Sequence, residues 1–197
     1  MKNKRLLVLL GGILLLSAAF LLLNFRLALS STQAGKLVAA TDLGNDDRPV
    51  SMQRNDKITL ALVGEGPLVR ALQKALTEKM QEAGLPEIEM AQELKPAYPN
   101  PVLIVKVGRP GPIWTPFFSM SGVPIHAGYT SDGDSAFMEA IEKSHTSVGK
   151  PDVAFLYAEY EINDLSLGLI SRLGYHQYLA DYFAQEIVTA LKDLYNV

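Results

Sequence analysis

Residues 57–83, KITLALVGEGPLVRALQKALTEKMQEA, decide the fold because they place a strand directly before a helix. Pro67 suits the first turn of a helix, and apolar residues then recur every three or four positions. Gly84 ends this helical pattern. We therefore expect a strand over Lys57–Val63 and a helix over residues 68–83.

The rest of the chain continues with both strand and helix periodicities. The predicted strands cover residues 87–93, 102–107, 113–120, 123–129 and 152–163, and the predicted helices cover residues 136–143 and 174–195. Ser121 and Gly122 are expected to close a two-residue hairpin between two of these strands. Together these elements predict an α+β domain, in which a largely antiparallel sheet of about five or six strands carries the two longer helices on one face.

The amino-terminal segment has the composition of a membrane helix. Lys2, Lys4 and Arg5 precede residues 6–23, an uncharged run that contains ten leucines. As a helix this run would be about 27 Å long, close to the ~30 Å hydrocarbon thickness of a bilayer. The sequence therefore predicts a single transmembrane helix over residues 6–23, with residues 1–5 as a cytoplasmic basic flank.

Two fates of this segment stay open. It is either retained as a signal anchor or removed as a secretory signal, since residues 28–30 (Ala-Leu-Ser) offer a cleavage site and would release a secreted protein cut after Ser30. Residues 24–56 are mostly polar and are predicted to form a juxtamembrane stalk, with room for a short strand over residues 37–41. Residues 57–197 then form the extracytoplasmic domain.

Composition excludes several classes of function. The chain has no cysteine, so it has no disulfide framework, thiolate metal site or cysteine nucleophile. All 21 acidic residues lie beyond residue 35 but only 14 of the 18 basic ones do, which leaves that part with a net charge of −7. An acidic domain without a basic patch is repelled by nucleic-acid phosphates, so no nucleic-acid partner is expected.

The catalytic and ligand-binding motifs are incomplete. The run Gly64-Glu65-Gly66 has Val69 where a dinucleotide-binding turn needs its third glycine, and it is better explained as a tight turn. No GxSxG nucleophile motif occurs. Asp132-Gly133-Asp134 lacks the later ligands of a calcium loop and is typical of a helix cap. No catalytic residue, metal site or cofactor is therefore predicted.

Dispersed acid–base residues leave an enzyme open as an alternative. Glu159 and Glu161 lie on the same side of a predicted strand, roughly 6.5–7 Å apart, but their alternation also fits an ordinary wet sheet face. The histidines, His126, His145 and His176, form no ligand-spaced pair. An active site would assemble from residues distant in sequence, and Glu159, Glu161, His126 and His176 are the first candidates to test.

The best candidate contact surface lies in an aromatic, proline-rich stretch. Trp114, Phe117 and Phe118 occur together with three prolines in residues 109–118. Prolines lower the entropy lost on ordering, and exposed aromatic rings often anchor partners. The alternative is an edge strand whose aromatic side chains fill the core.

These observations favour a non-enzymatic binding domain, tethered to the membrane, whose ligand is a protein or polymer in the cell envelope or outside it. The first alternative is a hydrolase or metal-dependent enzyme with a dispersed site. The second is a structural subunit whose membrane helix docks in a larger complex. The sequence thus favours a non-enzymatic protein but leaves an enzyme open as an alternative.

Overall fold

The computed structural model describes residues 2–42, 57–144 and 153–195 and has four helices and a seven-stranded sheet in these ranges. The helices are α1 (Lys2–Leu22), α2 (Pro67–Glu82), α3 (Ala136–Ser144) and α4 (Arg172–Tyr195). The strands are β1 (Arg26–Asp42), β2 (Lys57–Val63), β3 (Glu87–Met90), β4 (Val102–Val107), β5 (Ile113–Trp114), β6 (Phe118–Thr130) and β7 (Ala154–Ile170). The α+β class agrees with the sequence-based prediction.

The sheet is mixed, so the prediction of a largely antiparallel sheet is wrong. Its order is β1-β7-β6-β4-β2-β3, with β5 paired to β6. Strands β3 and β4 both run parallel to β2, and the remaining pairs are antiparallel. The parallel half arises because α2 connects β2 to β3 as a crossover helix, which returns the chain to the same end of the sheet.

The core lies mainly between the sheet and the pair α2 and α4. Both helices contribute to one apolar cluster with alternate residues of β2, β4, β6 and β7. Helix α3 covers part of the opposite face through Met138, which packs near Ile104 and Tyr157. One face of the sheet is thus covered by two helices, whereas the other keeps an open region.

The predicted hairpin at Ser121 and Gly122 is wrong. These residues pair with Asp164 and Asn163 of β7 inside the long strand β6. The turn lies earlier, where Thr115 N–H donates to the carbonyl of Phe118 at 2.8 Å. Proline at position 116 suits such a turn because its ring fixes φ.

Residues 26–42 form the edge strand β1, where the sequence predicts part of a polar stalk. The strand pairs along its whole length with β7, from Arg26 opposite Ile170 to Asp42 opposite Ala154. A polar residue pattern is compatible with pairing here because backbone hydrogen bonds hold the ladder. The rest of the predicted stalk, residues 43–56, lies outside the described residues.

Helix α1 occupies the segment for which the sequence predicts a transmembrane helix. A search of the described residues for a helix with both the length and the apolar character needed to cross a membrane finds none. Its side chains from Val8 to Leu16 are exposed, whereas Phe20 is buried against Phe25.

Candidate functional site

The three aromatic residues predicted as a contact surface do not form one surface. Trp114 is half-buried against the core, and its Nε1 donates to the carbonyl of Ile170 at 3.0 Å. Phe118 is half-buried in β6 opposite Leu167. Phe117 alone is well exposed, at 64%, with its ring centroid 6.1 Å from that of Phe20. Trp114 therefore has a structural role, whereas Phe117 is exposed and Phe118 lies on the open face of the sheet beside Leu167.

A larger apolar surface lies on the open face of the sheet, and we call it the leucine face. It consists of the exposed side chains of Leu27, Leu29, Met120, Leu165, Leu167 and Leu169. Register places these residues side by side on three adjacent strands, since Leu29 pairs with Leu167 and Met120 pairs with Leu165. Cross-strand partners point to the same side of a sheet. The surface is therefore contiguous, and Leu29 is 86% exposed.

The leucines point outward because the other side of the same strand segment is polar. Asp164 on β7 is only 3% exposed, and its carboxylate accepts hydrogen bonds from four hydroxyl groups, the longest from Tyr178 at 3.5 Å. Thr32 donates at 2.8 Å, Ser166 at 2.9 Å and Tyr175 at 3.0 Å. Residues of β1, β7 and α4 thus share one buried carboxylate, which fixes the orientation of the strands.

The tyrosine in this network stays protonated. Burial raises the pKa of Tyr175 far above its usual range, and the neighbouring Asp164 carboxylate raises it further. A neutral phenol donates a hydrogen bond to the carboxylate without adding a second negative charge. Tyr178, whose ring lies 3.6 Å from the Arg26 guanidinium carbon, completes the wall around the network.

The proposed acid–base residues divide between the two faces of the sheet. His126 and Glu159 are cross-strand partners on the open face. The Tyr157 hydroxyl donates to Glu159 Oε1 at 2.7 Å and lies 3.1 Å from His126 Nδ1. His176, by contrast, lies on α4, on the covered side. The structure therefore brings together His126, Tyr157 and Glu159 but not the full set that an enzyme was expected to use.

Glu161 is exposed on the open face, between the cluster of His126, Tyr157 and Glu159 and the leucine face. Its cross-strand neighbours are Gly35 and Pro124, which supply no acid, base or nucleophile. A pair of carboxylates in general acid and base roles needs two different environments. The environments of Glu159 and Glu161 do differ, since Glu159 is bonded to Tyr157 and Glu161 is exposed, but the cross-strand neighbours of Glu161 supply no acid or base that would complete a site with it.

The remaining motifs have structural roles. Gly64 and Gly66 adopt positive φ angles of 137° and 105°, as the tight turn requires. Asp134 accepts from the N–H of Ala136 at 2.9 Å and so caps the start of α3. In the described ranges, no group of three or more His, Asp or Glu side chains could hold a metal ion.

Comparison with known proteins identifies no family. No protein-family model matches the chain, and no curated protein matches it. Among solved structures, the chain is similar to the PelC dodecamer from Paraburkholderia phytofirmans, with 12% identity, a TM-score of 0.39, and coverage of 83% of this chain and 97% of that chain. A variant PelC dodecamer from the same organism has 14% identity and a TM-score of 0.41 over 80% and 97% of the two chains. At these values the similarity establishes neither a family nor a function for this chain.

Sequence reasoning missed the leucine face because the apolar residues of β7 switch from the core side of the sheet to the open side partway along the strand. Up to residue 163 the apolar side chains of the alternating pattern point to the core. From residue 164 on, Asp164 and Ser166 point inward and Leu165 and Leu167 point outward. A signal was present in the sequence, since leucines alternate strictly with Asp, Ser and Gly over residues 164–169.

Proposed function

We propose that this protein is a membrane-anchored, non-enzymatic binding domain that docks a protein partner on the leucine face. The observation that carries the proposal is the contiguous apolar surface on β1, β6 and β7, left uncovered by the described part of the chain. Large exposed apolar patches on a soluble domain mark interaction sites. An aliphatic surface without an arrangement of catalytic groups supports binding rather than turnover.

The chemistry of the surface favours a protein over a polysaccharide. Five leucines and one methionine make up the leucine face, and they offer no hydrogen-bond donors or acceptors. A sugar polymer needs polar groups and aromatic platforms, whereas apolar side chains of a protein are matched by aliphatic ones. A protein partner with an apolar surface patch is therefore the proposed occupant.

We place the domain at a membrane, with α1 as its anchor and its amino terminus in the cytoplasm. The support is the leucine-rich composition of residues 6–23, the exposed apolar side chains of α1, and the basic cluster at Lys2, Lys4 and Arg5. Backbone and side-chain hydrogen bonds connect the segment after α1 to the domain. The Phe25 carbonyl accepts from Ser171 N–H at 3.0 Å, and Ser171 Oγ in turn accepts from Phe25 N–H at 2.9 Å.

The proposed anchor is tested by alkaline carbonate extraction of membranes from cells that make the full chain. Retention in the membrane pellet, and its loss when residues 6–23 are exchanged for a cleavable signal, supports an anchor. Release of the wild-type chain into the supernatant would contradict it.

The docking surface is tested by photocrosslinking in native membranes. A photoreactive amino acid at Leu167 is expected to capture a discrete protein, whereas the same group at Asn163, on the same strand and face, is expected to capture much less. Equal capture at both positions would contradict docking on the leucine face. Crosslinks confined to α1 would instead favour the alternative of a membrane subunit.

A further inference from the structure

A second surface feature, separate from the leucine face, is a cleft at the carboxyl ends of the parallel strands β2 and β4. The cleft has a volume of about 620 Å³. Its wall includes the turn around Glu65, the loop around Arg109, and Arg172 and His176 at the start of α4. Crevices beyond the carboxyl ends of parallel strands are the usual ligand sites of such sheets.

The cleft is suited to an anion. Arg109 and Arg172 are exposed on its wall, and neither guanidinium group has a hydrogen-bond or ion-pair partner among the described residues. Helix α2 begins beside them at Gly66, with no side-chain cap and no acidic residue in its first turn. Pro67 has no N–H, and the remaining first-turn N–H groups have no side-chain acceptor among the described residues. The positive end of the helix dipole faces this region. Glu65 is the single carboxylate of the wall.

His176 supplies an independent sign of a ligand. Its side chain lines the cleft although the residue is only 6% exposed. Nδ1–H donates to the carbonyl of Arg172 at 2.7 Å, so the ring has Nε2 left, and no described residue bonds to that atom. Nε2 itself is not fully buried, so it opens into the cleft, where its lone pair can accept a hydrogen bond from a ligand.

We infer that this cleft binds a phosphate group through Arg109, Arg172 and the first turn of α2, with His176 Nε2 accepting a hydrogen bond from a hydroxyl group of the ligand. Guanidinium groups match phosphate oxygens in paired hydrogen bonds, and helix amino termini bind phosphates through backbone N–H groups. The inference holds whether or not the leucine face binds a protein. It gives a role to the two arginines and the imidazole, which the proposed docking function leaves unused.

The position of the cleft allows two sources of phosphate. Strand β7 runs parallel to β4, and β1 runs opposite to β7, so Arg172 lies at the sheet end where α1 joins β1. A lipid headgroup at a membrane that holds α1 could therefore reach the cleft. A free phosphate or phosphomonoester could enter it from solution.

Titration calorimetry of the full-length protein in a nonionic detergent tests the inference. The probes are inorganic phosphate, monomeric dihexanoyl phosphatidylglycerol as an anionic phosphodiester, and dihexanoyl phosphatidylcholine as the zwitterionic control. We expect Arg172→Gln and Arg109→Gln each to weaken binding by about tenfold, the loss of one charge-assisted contact. The matched control is Lys74→Gln, which removes an equal charge from an exposed position of α2 paired with Glu78.

The two sources give different results. Binding of both anionic probes supports a general phosphate site, and binding of phosphatidylglycerol alone supports a lipid headgroup site. Binding of inorganic phosphate alone supports a soluble ligand. The inference would be overturned if neither anion gave a heat of binding at about 1 mM, because a site that weak could not retain its ligand. Binding that falls equally in Lys74→Gln and the two arginine variants would also overturn it.

Discussion

The buried carboxylate of Asp164 allows a quantitative test of how the domain is held together. Replacing Asp164 by alanine removes the acceptor of four hydroxyl hydrogen bonds, a long one from Tyr178 and shorter ones from Thr32, Ser166 and Tyr175. Ser166 can still pair with Ser30, whose Oγ lies 2.7 Å away, and Thr32 is also within reach of Tyr178. Tyr175 has no such second partner among the described residues, so its buried hydroxyl is left without an acceptor.

The cost of this substitution follows from those contacts. A hydrogen bond to a charged group contributes about 1.5–3 kcal/mol, and a buried hydroxyl left unpaired costs about 1–3 kcal/mol. With two donors partly rescued, we expect Asp164→Ala to lower the free energy of unfolding by about 3–5 kcal/mol. That is a large fraction of the ~5–15 kcal/mol that holds an ordinary domain folded.

The assay is urea unfolding of the full-length protein in nonionic detergent, followed by the fluorescence of Trp114, the single tryptophan. The control is Asp181→Ala on the exposed side of α4, where the carboxylate only accepts from Gln177 at 2.8 Å. We expect the control to change stability by less than about 0.5 kcal/mol. If Asp164→Ala also stays within about 1 kcal/mol of wild type, the buried network does not hold β1, β7 and α4 together as argued.

Three further predictions follow from single residues. At Gly174 an added Cβ would lie 2.3 Å from the Phe25 carbonyl oxygen, so Gly174→Ala should cost about 1–3 kcal/mol in urea unfolding, whereas Gly111→Ala, with open space around it, should not. An equal effect of the two variants would contradict the close packing of Phe25. Burial lowers the pKa of His176 below its usual value of 6.5, and the Arg172 and Arg70 charges lower it further against the opposing effect of the hydrogen bond to the Arg172 carbonyl. The folded state therefore resists protonation of His176, so the free energy of unfolding falls as the pH drops below about 6.5. His176→Gln should remove this contribution to the fall between about pH 7 and pH 5. An unchanged pH dependence of stability in the variant would refute this prediction. Trp114→Phe should lose about 1 kcal/mol with its hydrogen bond to Ile170 but leave partner capture unchanged, and a loss of capture in a folded variant would restore Trp114 as a contact residue.

The sequence predicted the elements whose side chains alternate simply between core and water. Helix α2 and strand β2 lie at or near their expected positions because Pro67 starts the helix and the apolar periodicity continues to Met80. The class of the fold follows from these elements. The parallel pairing of β2 with β4 could not be predicted, because pairing between distant strands depends on tertiary packing and not on periodicity.

The candidate site was less accessible to sequence reasoning. Leu165, Leu167 and Leu169 look like core residues by hydrophobicity, and only the buried network of Asp164 shows why they face outward. The opposite error occurred in the aromatic segment, where Trp114 was expected on a contact surface but packs against the core. Exposure of an apolar side chain is set by its neighbours in space, which the local pattern does not contain.

The central claim, that the leucine face docks a protein, is tested most directly by measuring partner capture with the cross-strand pair Leu29 and Leu167 replaced together by aspartate. Both side chains are exposed, at 86% and 55%, so the variant should fold normally. Each buried leucine contact contributes up to about 1.5–3 kcal/mol to binding. We therefore expect the amount of photocrosslinked partner to fall by at least about tenfold in the double variant. Unchanged capture by the folded double variant, in membranes where the wild-type chain captures its partner, would contradict the claim.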